Sequence, residues 1–182
     1  MSAAIPIIET PRLILRGHCL ADFETAADMW GDPRITRYIA RPFTREECWA
    51  RLMRYVGHWT LLGYGFWAIT EKASGAFIGE GGFADFRRDM AWPAGISAAE
   101  SAHETGWVLA GPHHGKGYAS EAMLAATNWA DAHFNCRTLC IIDPENAPSL
   151  SVAKRCGFAP VGTAEYKESQ VTVFARERGA GA

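Results

Sequence analysis

The stretch PHHGKGYASEA, residues 112–122, carries a strand-like segment, HETGWVLA, into a segment with helical periodicity. The first turn of a helix has N–H groups without internal partners, and the helix dipole adds partial positive charge there. Gly115 and Gly117 remove side chains from that corner, so an anion can approach the main chain closely, and Lys116 adds a charge nearby. The corner reads as a phosphate or pyrophosphate cradle; the same glycines also suit a tight strand-to-helix connection that holds nothing. Two nucleotide-binding patterns fail on detail. A Walker-type loop needs Ser or Thr after the lysine, where Gly117 stands. The dinucleotide fingerprint needs a glycine where Ser120 stands and expects an early βαβ unit.

Downstream, Ala119, Ala122, Met123, Ala126 and Ala130 make one apolar stripe of mostly small residues, which lets a helix sit close to a sheet. TLCIID is a continuous apolar strand, as in the middle of a covered sheet. A short helix from about Ala147 to Cys156 stops at Gly157, a C′ glycine. FAPVGTAEY and QVTVFARE follow as strands around a Lys-Glu-Ser turn.

Upstream, RLILRG from Arg12 reads as a strand and Leu20 to Trp30 as a helix ended by Asp32-Pro33. A second helix begins at Thr44, with Glu46 and Glu47 in its first turn and Trp49, Leu52, Met53 and Val56 expected to face the core. GFWAIT and AFIGEGGFADF form a hairpin about residues 72–75. Residues 87–101 have no period and read as a mobile loop. The order predicts a mixed α/β (α+β) sheet with helices on its faces, in a single domain spanning 1–182.

Composition narrows the partners. A net charge of −2 argues against a nucleic-acid binder that works by phosphate neutralisation. No apolar run is long enough to span a membrane and the N-terminus lacks a secretion signal, so a cytoplasmic protein is expected. The five cysteines read as reduced, mostly buried small hydrophobes; Cys136, Cys140 and His133 lack a second ligand pair, so no metal is expected.

Three segments carry a family resemblance: Gly115 to Ala122, Asn146 to Phe158 (NAPSLSVAKRCGF), and Glu9 to Arg16 (ETPRLILR). In their order along the chain they resemble the GNAT N-acetyltransferases, and Glu9 to Arg16 resembles the opening of the branch that acetylates ribosomal-protein N-termini on alanine or serine. The resemblance implies a central twisted, mostly antiparallel sheet of about seven strands, with helices on both faces. It also implies acetyl-CoA as cosubstrate. Its pantetheine arm would lie beside Trp107, Val108 and Leu109, and its pyrophosphate on His114, Gly115, Lys116, Gly117, Tyr118, Ala119 and Ser120. Asn146 and Ser149 would border the pantetheine or the acceptor. Pro112 stands where many relatives carry Gln or Arg, so the loop is expected to use amide donors from His113 onward.

Acyl transfer to an amine needs a neutral amine, a stabilised oxyanion and a proton for the thiolate. No Gly-x-Ser-x-Gly elbow or Cys/His pair supports an acyl-enzyme. The resemblance implies the Leu109 N–H as oxyanion donor. The thiolate's usual proton source in relatives, a tyrosine, is replaced by Ala153; the resemblance to the N-terminal-acetylating branch implies Ser149, three residues after Asn146, in that role. Glu104 is the candidate base; Glu80 and Asp85 are weaker ones, and His103 should point to the opposite face. Ser149, Asn146 and Glu104 also have plain structural readings, as helix-start, capping and strand residues. His113 and His114 read as solvated loop residues. The acceptor, a protein α-amine or a small amine, is expected among the first two helices and loop 87–101, near an aromatic wall drawn from Trp30, Tyr38, Trp59, Trp67 and Trp92. The two C-terminal strands offer a surface for a homodimer. The missing tyrosine leaves open a non-catalytic acyl-CoA-binding sensor module.

Overall fold

The computed structural model describes residues 4–180. Its strands are β1 (Ile8–Glu9), β2 (Leu13–Arg16), β3 (Phe66–Glu71), β4 (Phe77–Ala84), β5 (Glu104–Leu109), β6 (Thr138–Ile142), β7 (Ala159–Tyr166) and β8 (Ser169–Arg176). The helices are α1 (Phe23–Gly31), α2 (Pro33–Thr36), α3 (Arg45–Leu62), α4 (Ala98–Ser101), α5 (Tyr118–His133) and α6 (Ala147–Arg155). All strands join one sheet in the order β1-β2-β3-β4-β5-β6-β8-β7. Every neighbouring pair is antiparallel except β5 and β6, which run parallel and share one register pair, Glu104↔Leu139. Past that pair the two strands splay apart, and the site lies in the split.

The eighth strand, beyond the expected seven, is β1. Two residues are too few to show alternation, and only the pairing of Ile8 with Leu15 and Glu9 with Ile14 defines it. Helices cover both faces, and consecutive strand residues divide between them. Trp67, Ile69 and Leu109 pack in the cluster with Ala122, Met123 and Ala126 of α5, while Ala68 and Val108 pack with Ala27 and Trp30 of α1. The α5 stripe is buried as its small residues require.

Helix α3 begins as the sequence indicates: Thr44 and Glu47 exchange backbone N–H bonds in a capping box. Its buried stripe, however, is Cys48, Leu52, Tyr55, His58 and Trp59; Trp49, Met53 and Val56, expected inside, are 43%, 40% and 38% exposed. The phase is set by Tyr55, whose hydroxyl bonds buried Glu80 (2.6 Å), and by Trp59, whose Nε1 bonds Phe66 O (2.9 Å). A hydropathic count misses polar-tipped aromatics of this kind. Loop 87–101 is likewise more structured than its sequence implies. Ser97 and Glu100 form a capping box that starts α4, and Arg137 holds Glu100. Among the described residues, no helix is long and apolar enough to cross a membrane.

Candidate functional site

The strand-to-helix corner is built from bare main chain. Gly115 (φ 74°) and Gly117 (φ 80°) are both left-handed, the region where a side chain is strained. Gly117 is the N-cap of α5 and supplies no capping side chain, whereas Thr44, Asn146 and Ser97 cap α3, α6 and α4. The N–H groups of Gly115 to Ser120 meet no acceptor among the described residues. Donors were expected from His113 onward, but a 3₁₀ turn uses the N–H groups of His113 and His114 on Ala110 O and Gly111 O; the open amides therefore begin at Gly115.

The N-terminal motif braces this corner. Thr10 Oγ1 and Arg12 N donate to Glu121 in the first turn of α5 (2.6 and 2.8 Å), and Arg12 Nη1 donates to Lys116 O (2.9 Å). Burial alone would raise the Glu121 pKa, but these donors hold it below the ordinary carboxylate value.

Along β5, register exposes a row of main-chain groups. Ala110 N bonds Ile78 O, so Leu109 and Gly79 are a non-hydrogen-bonded pair, as are Trp107 and Gly81. The N–H and C=O of Trp107 and Leu109 therefore point away from β4, into the split. There, His114 Nε2 donates to Leu109 O (2.8 Å), leaving the Leu109 N–H as the open group. His114 is exposed, as expected of a solvated loop residue, and has this one partner as well.

A cleft of about 480 Å³ runs along this edge to the corner, lined by Trp107, Val108, Leu109, His114, Gly115, Gly117, Tyr118, Ala119, Ser120, Asn146 and Ser149. Of the expected cosubstrate residues only Lys116 is not on its wall. The cations that do line it are Arg34 and Arg155, the latter reaching Ser120 Oγ (3.4 Å). Asn146 accepts from Ser149 N (3.2 Å) and so caps α6. Ala153, where relatives carry tyrosine, is fully buried.

A second cavity, about 170 Å³, adjoins the first, and both share Tyr38, Ile39, Trp107, Val108, Asn146 and Ser149. Glu104 lies on its wall, 2% exposed, with both oxygens on Arg88 (2.5 and 2.6 Å). Burial pushes its pKa up and Arg88 only partly reverses this. The guanidinium of Arg88 stacks on Tyr166 and Phe86 (4.5 and 4.7 Å). His103 turns elsewhere, against Phe134 and Cys136. Of the expected aromatic wall, Trp30 and Tyr38 line the cavity; Trp59 and Trp67 are core against Trp129, and Trp92 lines neither cavity. Sequence reasoning missed Arg51, Phe66, Phe86, Arg88 and Tyr166, which come from four separate elements or loops; the alternation of Phe86 and Arg88 just after β4 was the one local signal.

Glu80 is no candidate base. It is buried behind the cavity with donors from Trp30 Nε1 (3.0 Å), Tyr55 OH (2.6 Å) and Arg51 Nε (3.2 Å), and His18 lies 3.5 Å away. Burial opposes its charge, yet His18, Arg51 and Tyr55 hold its pKa at about 2. Asp85 lines neither cavity and pairs with Arg87 (2.7 Å).

An uncapped helix mouth, an open strand edge and an adjoining buried carboxylate suit a transferase for a long, phosphate-bearing acyl donor. The family model for the acetyltransferase (GNAT) domain matches residues 12–159. The chain belongs to the GNAT acetyltransferases and is an acetyl-CoA-dependent acyltransferase. It is 28% identical over 156 residues to an uncharacterized N-acetyltransferase, p20, of Bacillus licheniformis, covering 84% of this chain and 82% of that one. An acetyltransferase structure from Agrobacterium tumefaciens superposes with a TM-score of 0.78 at 27% identity, over 97% of both chains. A ribosomal L7/L12 α-N-protein acetyltransferase, RimL, in complex with coenzyme A, shares the fold (TM-score 0.74, 18% identity, 96% of this chain and 99% of that one).

Proposed function

We propose that the cleft holds acetyl-CoA, with its pyrophosphate on the amides of Gly115 to Ser120 and its pantetheine beside Trp107 to Leu109, and that the smaller cavity admits the acceptor amine. Bound acetyl-CoA supplies an activated acetyl group as a thioester, which direct attack by the amine converts to an amide and free thiol. The Leu109 N–H stabilises negative charge on the thioester oxygen. Glu104, in its ionised form, accepts the amine proton. Five residues separate it from Leu109, about 16 Å at ~3.3 Å per residue, so that proton travels through water. Ser149, at the seam of the two cavities, returns a proton to the thiolate.

The observation that carries this reading is the meeting of the two cavities at Trp107, Asn146 and Ser149, one ending at the open amides and the other at Glu104. Incubation with acetyl-CoA and a panel of peptides with Ser or Ala N-termini and small amines should release free thiol; silence across the panel would sink it. Family membership disfavours the sensor alternative, which predicts CoA binding without turnover. The work is done in the cytoplasm, where thiols stay reduced. A homodimer, if formed, would use the exposed edge strand β7, and sedimentation at micromolar concentration tests that.

A further inference from the structure

The smaller cavity carries donors that its own residues do not use. Arg51 is 15% exposed at the side chain and lines the cavity wall. Its Nε is spent on Tyr55 OH (2.7 Å) and Glu80 Oε1 (3.2 Å) and its plane lies 3.8 Å over Trp30, but Nη1 and Nη2 have no acceptor among the described residues. Arg88, on the same wall, spends Nε and Nη2 on Glu104 and is further held by the Tyr166 side chain. Arg51, fixed over Trp30 and anchored through Nε, therefore has an unused pair of Nη donors at the cavity wall. A fork of this kind matches a carboxylate.

Charge and size restrict the guest further. The charged wall residues are Arg51 and Arg88 with Glu104 and Asp143, and Arg51 is also paired with Glu80 behind the wall, so a carboxylate on the guest must bring its own ammonium to offset it. The cavity, about 170 Å³, is below the ~300–1,000 Å³ of ordinary ligand pockets. We propose that the acceptor is a small amine that also bears a carboxylate, an amino-acid-like zwitterion, and that Arg51 is the residue that selects it. This rests on the smaller cavity being the acceptor site.

The test is a substrate series on the unmodified protein with acetyl-CoA: free amino acids of graded size, their carboxamides, their decarboxylated amines, and short peptides. The expected result is a kcat/KM for the free acids ten- to a hundredfold above the other three classes, the range of a charge-assisted hydrogen bond. In Arg51→Met the preference should vanish through KM with kcat little changed, and Arg51→Lys should restore part of it, a split that loosened packing would not produce. Titration of a favoured acid into the CoA-saturated protein should give binding heat that Arg51→Met loses. Equal or better turnover of decarboxylated amines, carboxamides or peptides overturns the proposal, and the unmodified series decides this even if the variants fail to fold. Absence of turnover with every amine would instead overturn the acyl-transfer reading beneath it.

Discussion

The cleft proposed for the cosubstrate and the cavity proposed for the acceptor meet at Trp107 and Ser149 but are made of different material. The cleft is mostly backbone: the amides of Gly115 to Ser120 and the open edge of β5. The cavity is mostly side chain: Arg51 from α3, Phe86 and Arg88 from the loop after β4, Glu104 from β5, and Tyr166 from β7. A backbone site depends on conformation, which a few adjacent residues dictate. A side-chain site depends on which distant segments the fold gathers. One wall can therefore stay fixed while the other varies, as expected of a scaffold that keeps one donor and changes acceptors.

The division can be broken most sharply at Glu104. Glu104→Gln should lower kcat/KM by about 10²–10⁴ while calorimetry gives an unchanged affinity for CoA. The base must be ionised and burial raises its pKa, so activity should fall with decreasing pH at values above the ordinary carboxylate range. That acid limb should disappear in the variant. Full activity in Glu104→Gln would remove the chemical role of the cavity.

Gly117→Val tests the other wall. A β-branched residue at φ 80° costs ~1–2 kcal/mol, so CoA affinity should drop about tenfold with acceptor KM little altered. The Glu80 cluster behind the cavity gives a stability signal. Its folded pKa, about 2, lies below the ordinary 4.5, so its contribution is present above pH 4.5 and is lost as pH falls toward 2. Denaturant midpoints of the natural protein should decline across that window, and those of Glu80→Gln should decline less. The smallest effect is expected at Lys116, whose side chain is off the cleft wall. Lys116→Ala should change CoA affinity less than about threefold, and Arg155→Ala should change it more.

The same division explains what could be read from the chain. Gly115-Lys116-Gly117 signals its own backbone, and the α5 stripe and the Thr44/Glu47 cap are equally local. Thr10 and Arg12 were visible as a motif, but their contacts with Glu121 and Lys116 lie more than a hundred residues away. The phase of α3 was misread because Tyr55 turns inward to satisfy Glu80, a partner 25 residues on. The smaller cavity was legible at Glu104, Tyr38 and Trp30 and at the seam residues Trp107, Val108, Asn146 and Ser149, but not at Arg51, Phe86 or Arg88, since nothing near Arg51 in the chain announces Tyr166. His114 is solvated as its loop position suggests, but its bond to the Leu109 carbonyl could not be read, because that carbonyl is open only through the register of β5 with β4.

The single register pair between β5 and β6 leaves the sheet short of a rung, and a bound pantetheine arm would fill that place. Cosubstrate would then act as a structural member as well as a reagent, adding about 2.7 kcal/mol of stability at a hundredfold excess over its Kd. The melting temperature and protease resistance of the protein would then rise with added acetyl-CoA.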